Sequence, residues 1–277
     1  MKYDIFHRTR YDYAAPVSDS FNDVRLHPMP IPGQTVEHFI LRILPAARLG
    51  HFTDFYSNWV NHFEIPELHN YLLIEAQSRV STQPASQLSE SGSVCPMSRL
   101  KESLNVERCF DYLQGSRFVD VSPEAWKLAL DATHGLDDAW LAAVSLRRWV
   151  HGHIRYVPNS THVHTRMSEV LRDGRGVCQD FAHLMLGMCR SLKIPARYVS
   201  GYLATESASA THAWVEVFVP GFGWRGLDPT HDCQVGEFYV KIANGRDYGD
   251  VAPISGHYRG TLDRKMTVEV KIIPSAG

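Results

Sequence analysis

No sign of charge dominates this 277-residue sequence: 28 lysines and arginines stand against 30 aspartates and glutamates, so no bulk field favours nucleic acid or an anionic membrane. Long apolar runs are missing too. Nowhere do about 18 apolar residues follow one another, as a spanning helix requires, and the opening MKYDIFHRTRYDY has no apolar stretch of signal-peptide length. A cytoplasmic location is the default expectation, with neither nucleic acid nor membrane as partner. Cysteine is sparse: the five, at 95, 109, 178, 189 and 233, are odd in number, widely spaced and free of any CxxC pair. That pattern excludes a disulfide framework and fits a reducing compartment. Repeats and low-complexity blocks are absent. With 44% hydrophobic and 21% charged residues the chain has no pull toward disorder, and its length suffices for one large or two small packed domains.

What is present divides the chain by periodicity. Residues 3–11 partly alternate, 36–44 carry the β-leaning run VEHFILRIL, and 71–80 carry another, with Pro and Gly clusters between. Residues 1–82 therefore read as short strands of a small antiparallel β domain. The stretch 83–93, QPASQLSESGS, is too polar to join a core, so 83–105 is assigned as a linker and 106–277 as the second unit. Within that unit, Ser122-Pro123-Glu124 is a helix start, with a serine cap and proline at the first position. Asp137 or Asp138 starts another helix, whose apolar stripe includes Trp140, Leu141, Val144 and Trp149. Residues 154–157 turn extended, and the chain ends in β-rich segments at 238–243 and 266–273.

The segment from Asp173 to Leu192, DGRGVCQDFAHLMLGMCRSL, carries the chemistry. Gly174 and Gly176 permit a tight, positive-φ turn. From Val177 onward Phe181, Leu184, Met185, Met188 and Leu192 recur at helical spacing, which puts Cys178 in the first turn of a helix. There the unpaired N–H groups and the positive end of the macrodipole favour a thiolate, and the same N–H groups can stabilise an oxyanion. Cys189, in the apolar middle of the same helix, reads as a small core residue.

After Ile194-Pro195, residues 196–203 read as a strand. Residues 211–219 alternate, with Ala213, Val215, Val217 and Val219 on one face and His212, Trp214, Glu216 and Phe218 on the other. Pro220-Gly221-Phe222-Gly223 supplies a turn, and 224–228 return as a neighbouring strand that ends in Asp228 before Pro229. A base whose other ring nitrogen is held by a carboxylate is what thiol activation needs. With Val219 opposite Trp224, however, Asp228 faces Val215, roughly 10 Å along the strand from His212. Direct contact requires a bulge or a shifted register.

The segments GRGVCQDFAH, IPARYVSGY, THAWVEVFVPGFGW and LDPTHD, in this order and spacing, resemble those of the bacterial transglutaminase-like proteins, often described as cysteine proteases. The stretches 11–13 and 24–28 resemble the N-terminal β region that accompanies that catalytic domain, and 245–251 resemble a stretch that follows it, so the likeness covers nearly the whole chain. It implies an α+β fold with a papain-like core, the cysteine helix packed on an antiparallel sheet, and it maps the family's catalytic triad onto Cys178, His212 and Asp228. Gln179 stands where many eukaryotic cross-linking enzymes have tryptophan.

The expected chemistry is attack of Cys178 on the amide of a peptide or protein substrate, with His212 protonating the departing amine and a thioester as intermediate. Water as acceptor makes the chain a peptidase or amidase; an amine makes it a protein-glutamine gamma-glutamyltransferase. A binding module on the same fold is the non-enzymatic alternative. The Cys178 N–H is the first candidate oxyanion donor, Tyr156 and Gln179 are candidate second donors, and Trp214 is a candidate groove residue. The pairs His151/His153 and His162/His164 are spaced i, i+2 but lack a third ligand at zinc-like spacing, so neither metal nor cofactor is expected.

Overall fold

The computed structural model describes residues 1–103, 109–204 and 211–275. The boundary between residues 105 and 106 and the polar loop at 205–210 fall outside them.

Alternation at the N-terminus produces one long strand rather than several short ones. In β1 (Lys2–Val24) the odd-numbered residues from Tyr3 to Tyr13 are buried. At Ala14-Ala15-Pro16 the ladder breaks, because proline offers no N–H, and the strand changes partners. Its first half pairs with β5 (His69–Thr82); its second half pairs with β4 (Trp59–Ile65). With β2 (Gln34–Leu44) and β3 (Gly50–Thr53) the sheet order is β2-β5-β1-β4-β3.

A short parallel pair, β6 (Arg155–Tyr156) and β7 (Arg175–Gly176), precedes the cysteine helix Cys178–Ser191. A second antiparallel sheet follows, built from β8 (Ala196–Leu203), β9 (Thr211–Val219), β10 (Gly223–Asp228), β11 (Cys233–Gln234) and β12 (Tyr239–Gly245), in the order β11-β10-β9-β8-β12. Phe181, Leu184, Met185 and Met188 of the helix are buried in one core with Ala213, Val215, Val217 and Val219 of β9. Each such large side chain contributes roughly 1.5–3 kcal/mol by leaving water. The helices Pro123–Thr133 and Ala139–His153 pack on the cysteine helix and share this core. Their starts follow from capping: the Ser122 side chain accepts from the Ala125 N–H, and Asp138, not Asp137, accepts from Trp140 and Leu141.

Residues 254–274, placed in the second unit by the sequence reading, belong to the N-terminal sheet. β13 (Ile254–Arg259) pairs with the second half of β1, and β14 (Arg264–Pro274) pairs with the first half from Tyr3↔Pro274 to Tyr13↔Arg264. The polar stretch 83–93 is a strap rather than a free linker. Leu88 N–H donates to Gln234 (3.0 Å), Trp140 Nε1 donates to the Ser89 carbonyl (2.8 Å), and Glu90 pairs with the buried Arg147 (2.7 Å). Just beyond it Cys95 and Leu100 are buried in the main core. No helix among the described residues is long and apolar enough to cross a membrane.

Candidate active site

The cysteine helix begins as its sequence dictates, with a difference in how the glycines serve it. Gly174 has φ +59 and caps the preceding helix Met167–Asp173 in the left-handed region. Gly176 has ordinary backbone and is needed for space instead: a Cβ there would stand 2.7 Å from the Asp180 Cβ. Val177, at the cap position, has no side-chain acceptor, so Asp180 three residues on reaches back to the Val177 N–H (2.8 Å) and accepts from the Thr161 hydroxyl (2.6 Å). Cys178 is thereby held at the first helical position, where backbone N–H groups have no intrahelical acceptor, and its side chain is partly exposed.

The register between β9 and β10 decides the position of the acid. Gly223, not Trp224, lies opposite Val219, and Leu227 lies opposite Val215. Asp228 continues alongside Trp214, on the same face as His212 and diagonal to it, whereas the one-residue slip considered from sequence would have turned it to the other face. His212 Nε2 and Asp228 Oδ2 are 2.8 Å apart. That contact leaves Nδ1 of the ring for the thiol.

Asp228 is fully buried and densely satisfied. Oδ2 also accepts from His231 Nδ1 and the Tyr239 hydroxyl, each at 2.8 Å, while Oδ1 accepts the Thr230 N–H (2.8 Å) and the His231 N–H (3.2 Å). Burial pushes its pKa up, but the hydrogen bonds from His212 and then His231 outweigh this and hold it well below the usual carboxylate range. For His212 burial works against the proton, and the Asp228 hydrogen bond followed by the Cys178 side chain overturns it, raising the ring to about 9. Cys178 and His212 share the lining of two cavities, one on either side of them.

One of these, about 280 Å³, lies between the two sheets. One wall comes from the cysteine helix and the sheet that follows it, with Gln179, Tyr198 and Ser200. The opposite wall is one face of the N-terminal sheet: Thr9 lies opposite Val268 and Tyr11 opposite Met266, with His7 beside them. His7 is held by the Tyr202 hydroxyl (3.0 Å) and Thr9 Oγ1 (3.2 Å), and burial pushes its pKa down to about 4, so it is neutral. The other cavity is lined by Tyr156, Leu203, Thr211, Thr230 and His231.

Comparison with known proteins places this geometry. A family profile described as "Transglutaminase-like superfamily" matches residues 127–229, and one described as "Bacterial transglutaminase-like N-terminal region" matches residues 3–81. An uncharacterized protein of Mycobacterium leprae is 33% identical over 276 residues, covering 96% of this chain and 97% of its own. The chain belongs to the bacterial transglutaminase-like family. A solved structure of a candidate cysteine protease from Cytophaga hutchinsonii superimposes with a TM-score of 0.79 at 24% identity, covering 100% of this chain and 92% of that one, which shows the shared α+β, papain-like fold. A protein-glutamine gamma-glutamyltransferase of Pseudomonas aeruginosa is 33% identical over 161 residues, 50% of this chain but 24% of that protein.

Of the residues singled out in this transglutaminase-like chain, His212 and Asp228 are in contact, Cys178 lines two cavities together with His212, and Tyr156 and Gln179 each line a cavity with Cys178. The Gln179 amide donates to the Val163 carbonyl (3.3 Å). Trp214 does not join them: it is buried behind the His212 ring, edge-on to Tyr239, and lines neither cavity. Two partners of Asp228, His231 and Tyr239, were missed. His231 had a signal, being three residues past the acid in LDPTHD; Tyr239 had none, because only sheet pairing brings β12 there. His212, Asp228 and His231 also place three ligand-type atoms within 4.8 Å of one another. Both histidines already spend a nitrogen on the same Asp228 oxygen, so the grouping is accounted for by hydrogen bonding.

Proposed function

We propose that the chain is a cysteine-nucleophile enzyme acting on amide bonds of peptides or proteins, with Cys178, His212 and Asp228 as its triad. The observation that carries this reading is the 2.8 Å His212–Asp228 contact beside a partly exposed thiol at the first position of a helix. His212 Nδ1 takes the thiol proton, a transfer favoured by the strong basicity that Asp228 confers on the ring. The sulfur attacks the carbonyl carbon, forming the S–C bond, and the oxyanion is stabilised by the Cys178 N–H at the helix start. His212 returns the proton to the departing nitrogen as the C–N bond breaks, leaving a thioester. Asp228 stays ionised throughout and holds the ring in one tautomer and orientation.

Water as acceptor gives a hydrolase; an amine acceptor gives a glutamyltransferase. The similarity of half the chain to the P. aeruginosa glutamyltransferase keeps the second outcome in play. Incubation with a glutamine-containing donor peptide, with and without a primary amine, separates them: ammonia release with a mass gain of the amine identifies transfer, and ammonia release or backbone cleavage without an adduct identifies hydrolysis. Cys178→Ala abolishes either. Turnover that survives this substitution, with iodoacetamide labelling intact at another cysteine, defeats the assignment.

A further inference from the structure

Among the described residues the cavity that holds Cys178 is lined by no Asp, Glu, Lys or Arg, so apart from the Cys178–His212 pair the reacting part of a substrate meets uncharged groups there. A second cavity adjoins it, sharing Tyr11, Tyr248 and Ile254. Its lining differs in kind. Arg117, Arg264 and His164 stand at its exposed rim, and among the described residues no carboxylate lines it. The Arg264 guanidinium lies over the rings of Tyr11 (5.3 Å) and Tyr258 (5.6 Å), and that of Arg117 over Phe118 (5.2 Å). Aromatic faces hold these cations in place without neutralising them. Among the described residues neither arginine has an ion-pair partner within 4.0 Å; Arg8, Arg10 and Arg79 of the N-terminal sheet all do. The nearby Asp247 is buried, with its oxygens given to the Phe118 and Gly249 N–H groups.

An independent observation lies in the same place. Asn22 lines this cavity, is only 7% exposed, and its Nδ2 has no hydrogen-bond partner. The Nδ2 atom is itself covered, so a turn of the Asn22 side chain is what brings this unspent donor to an acceptor in the cavity. Two guanidiniums without an ion-pair partner among the described residues, and an unspent N–H donor beside them, form a receptor for an anion, and a carboxylate matches the fork of an arginine.

We propose that this cavity is a subsite for a carboxylate of the substrate, so that the preferred amide belongs to an acidic peptide whose anionic group docks on Arg117, Arg264 and Asn22 while a neutral portion fills the space at Cys178. The inference rests on Cys178 being the nucleophile. The carboxylate comes from an acidic side chain or from a peptide C-terminus, and probes distinguish the two.

The test uses chloroacetyl peptides, in which the Cys178 sulfur displaces chloride, and follows labelling by intact mass and peptide mapping. Three probes of one length are compared: one carrying Glu with an amidated end, one carrying Gln with a free C-terminal carboxylate, and one carrying Gln with an amidated end. At least one acidic probe labels Cys178 about tenfold faster than the neutral probe, the value of one charge-assisted contact. In the double variant Arg117→Gln/Arg264→Gln that ratio falls toward one. Because the readout is a ratio within one protein, an overall change in thiol reactivity does not imitate it. Equal rates for all three probes in the unmodified chain, or a ratio that persists in the double variant, overturn the subsite. Failure of iodoacetamide and every probe to modify Cys178 overturns the nucleophile itself, and the subsite with it.

Discussion

Two buried imidazoles, one on β9 and one on the cysteine helix, are driven in opposite directions by their environments. His212, on β9, is raised to about 9; His183, on the cysteine helix, is lowered to about 3, its burial outweighing the attraction of Asp247. Exposure does not separate them, at 8% and 1%. Partners do. His212 bonds a carboxylate oxygen directly, whereas His183 lies flat on Phe118 and its Nε2 accepts the Tyr248 N–H at 3.2 Å. A ring that accepts from a peptide N–H is fixed as neutral, and one that donates to a buried carboxylate is fixed as protonatable. One histidine anchors the 245–251 segment to the helix; the other is set up for proton transfer.

The largest break in this contrast is Asp228→Asn. It preserves shape but removes the charge and offers the wrong donor pattern to His212, so activity falls by about 10³–10⁴ and the ring titrates well below 9, as followed by imidazole NMR. Next is His183→Ala, which opens a cavity beneath Phe118 and strands the Tyr248 N–H. The melting free energy drops by about 2–4 kcal/mol while activity per folded molecule survives. The linkage signs differ as well. His212, with its folded pKa above the unfolded value of 6.5, contributes stability that is complete below pH 6.5 and lost as pH rises through about 9. His183, depressed to about 3, contributes stability present above pH 6.5 and lost as pH falls toward 3. Denaturant midpoints across pH 4–10 therefore fall at both ends, and Asp228→Asn removes the alkaline fall. The smallest effect is His231→Asn, which keeps an N–H donor for Asp228: steady-state rates change by less than about tenfold. A loss as large as that of Asp228→Asn would give His231 an equal role.

The same helix teaches the lesson with thiols. Cys178 at its start is partly exposed beside His212, while Cys189 is fully buried and burial pushes its pKa up to about 12. That difference was legible from sequence pattern alone, as were the helix start at Ser122, a second start at Asp137 or Asp138, and the strand that carries His212. The hairpin register was not legible, because Gly221 and Gly223 both take positive φ and the turn uses one residue fewer than the assumed pairing, so that Val219 meets Gly223 rather than Trp224. Nor was the enrolment of 254–274 in the N-terminal sheet. Alternation marks a strand but not its partner, and the pairing Tyr3↔Pro274 joins residues that no local pattern connects. The strap at 83–93 was misread for a related reason: Glu90 and Leu88 are held by polar contacts with Arg147 and Gln234, which a hydrophobicity argument does not count.

That late pairing has a consequence for biosynthesis. Chains emerge from the ribosome N-terminus first, and domains fold as they appear. Helix, thiol and imidazole are all synthesised before Met266 and Val268, which close the far wall of the cleft by docking on β1. A nascent chain thus holds Cys178 and His212 beside a cleft that still lacks a side, and the cleft is enclosed only when β14 has joined β1.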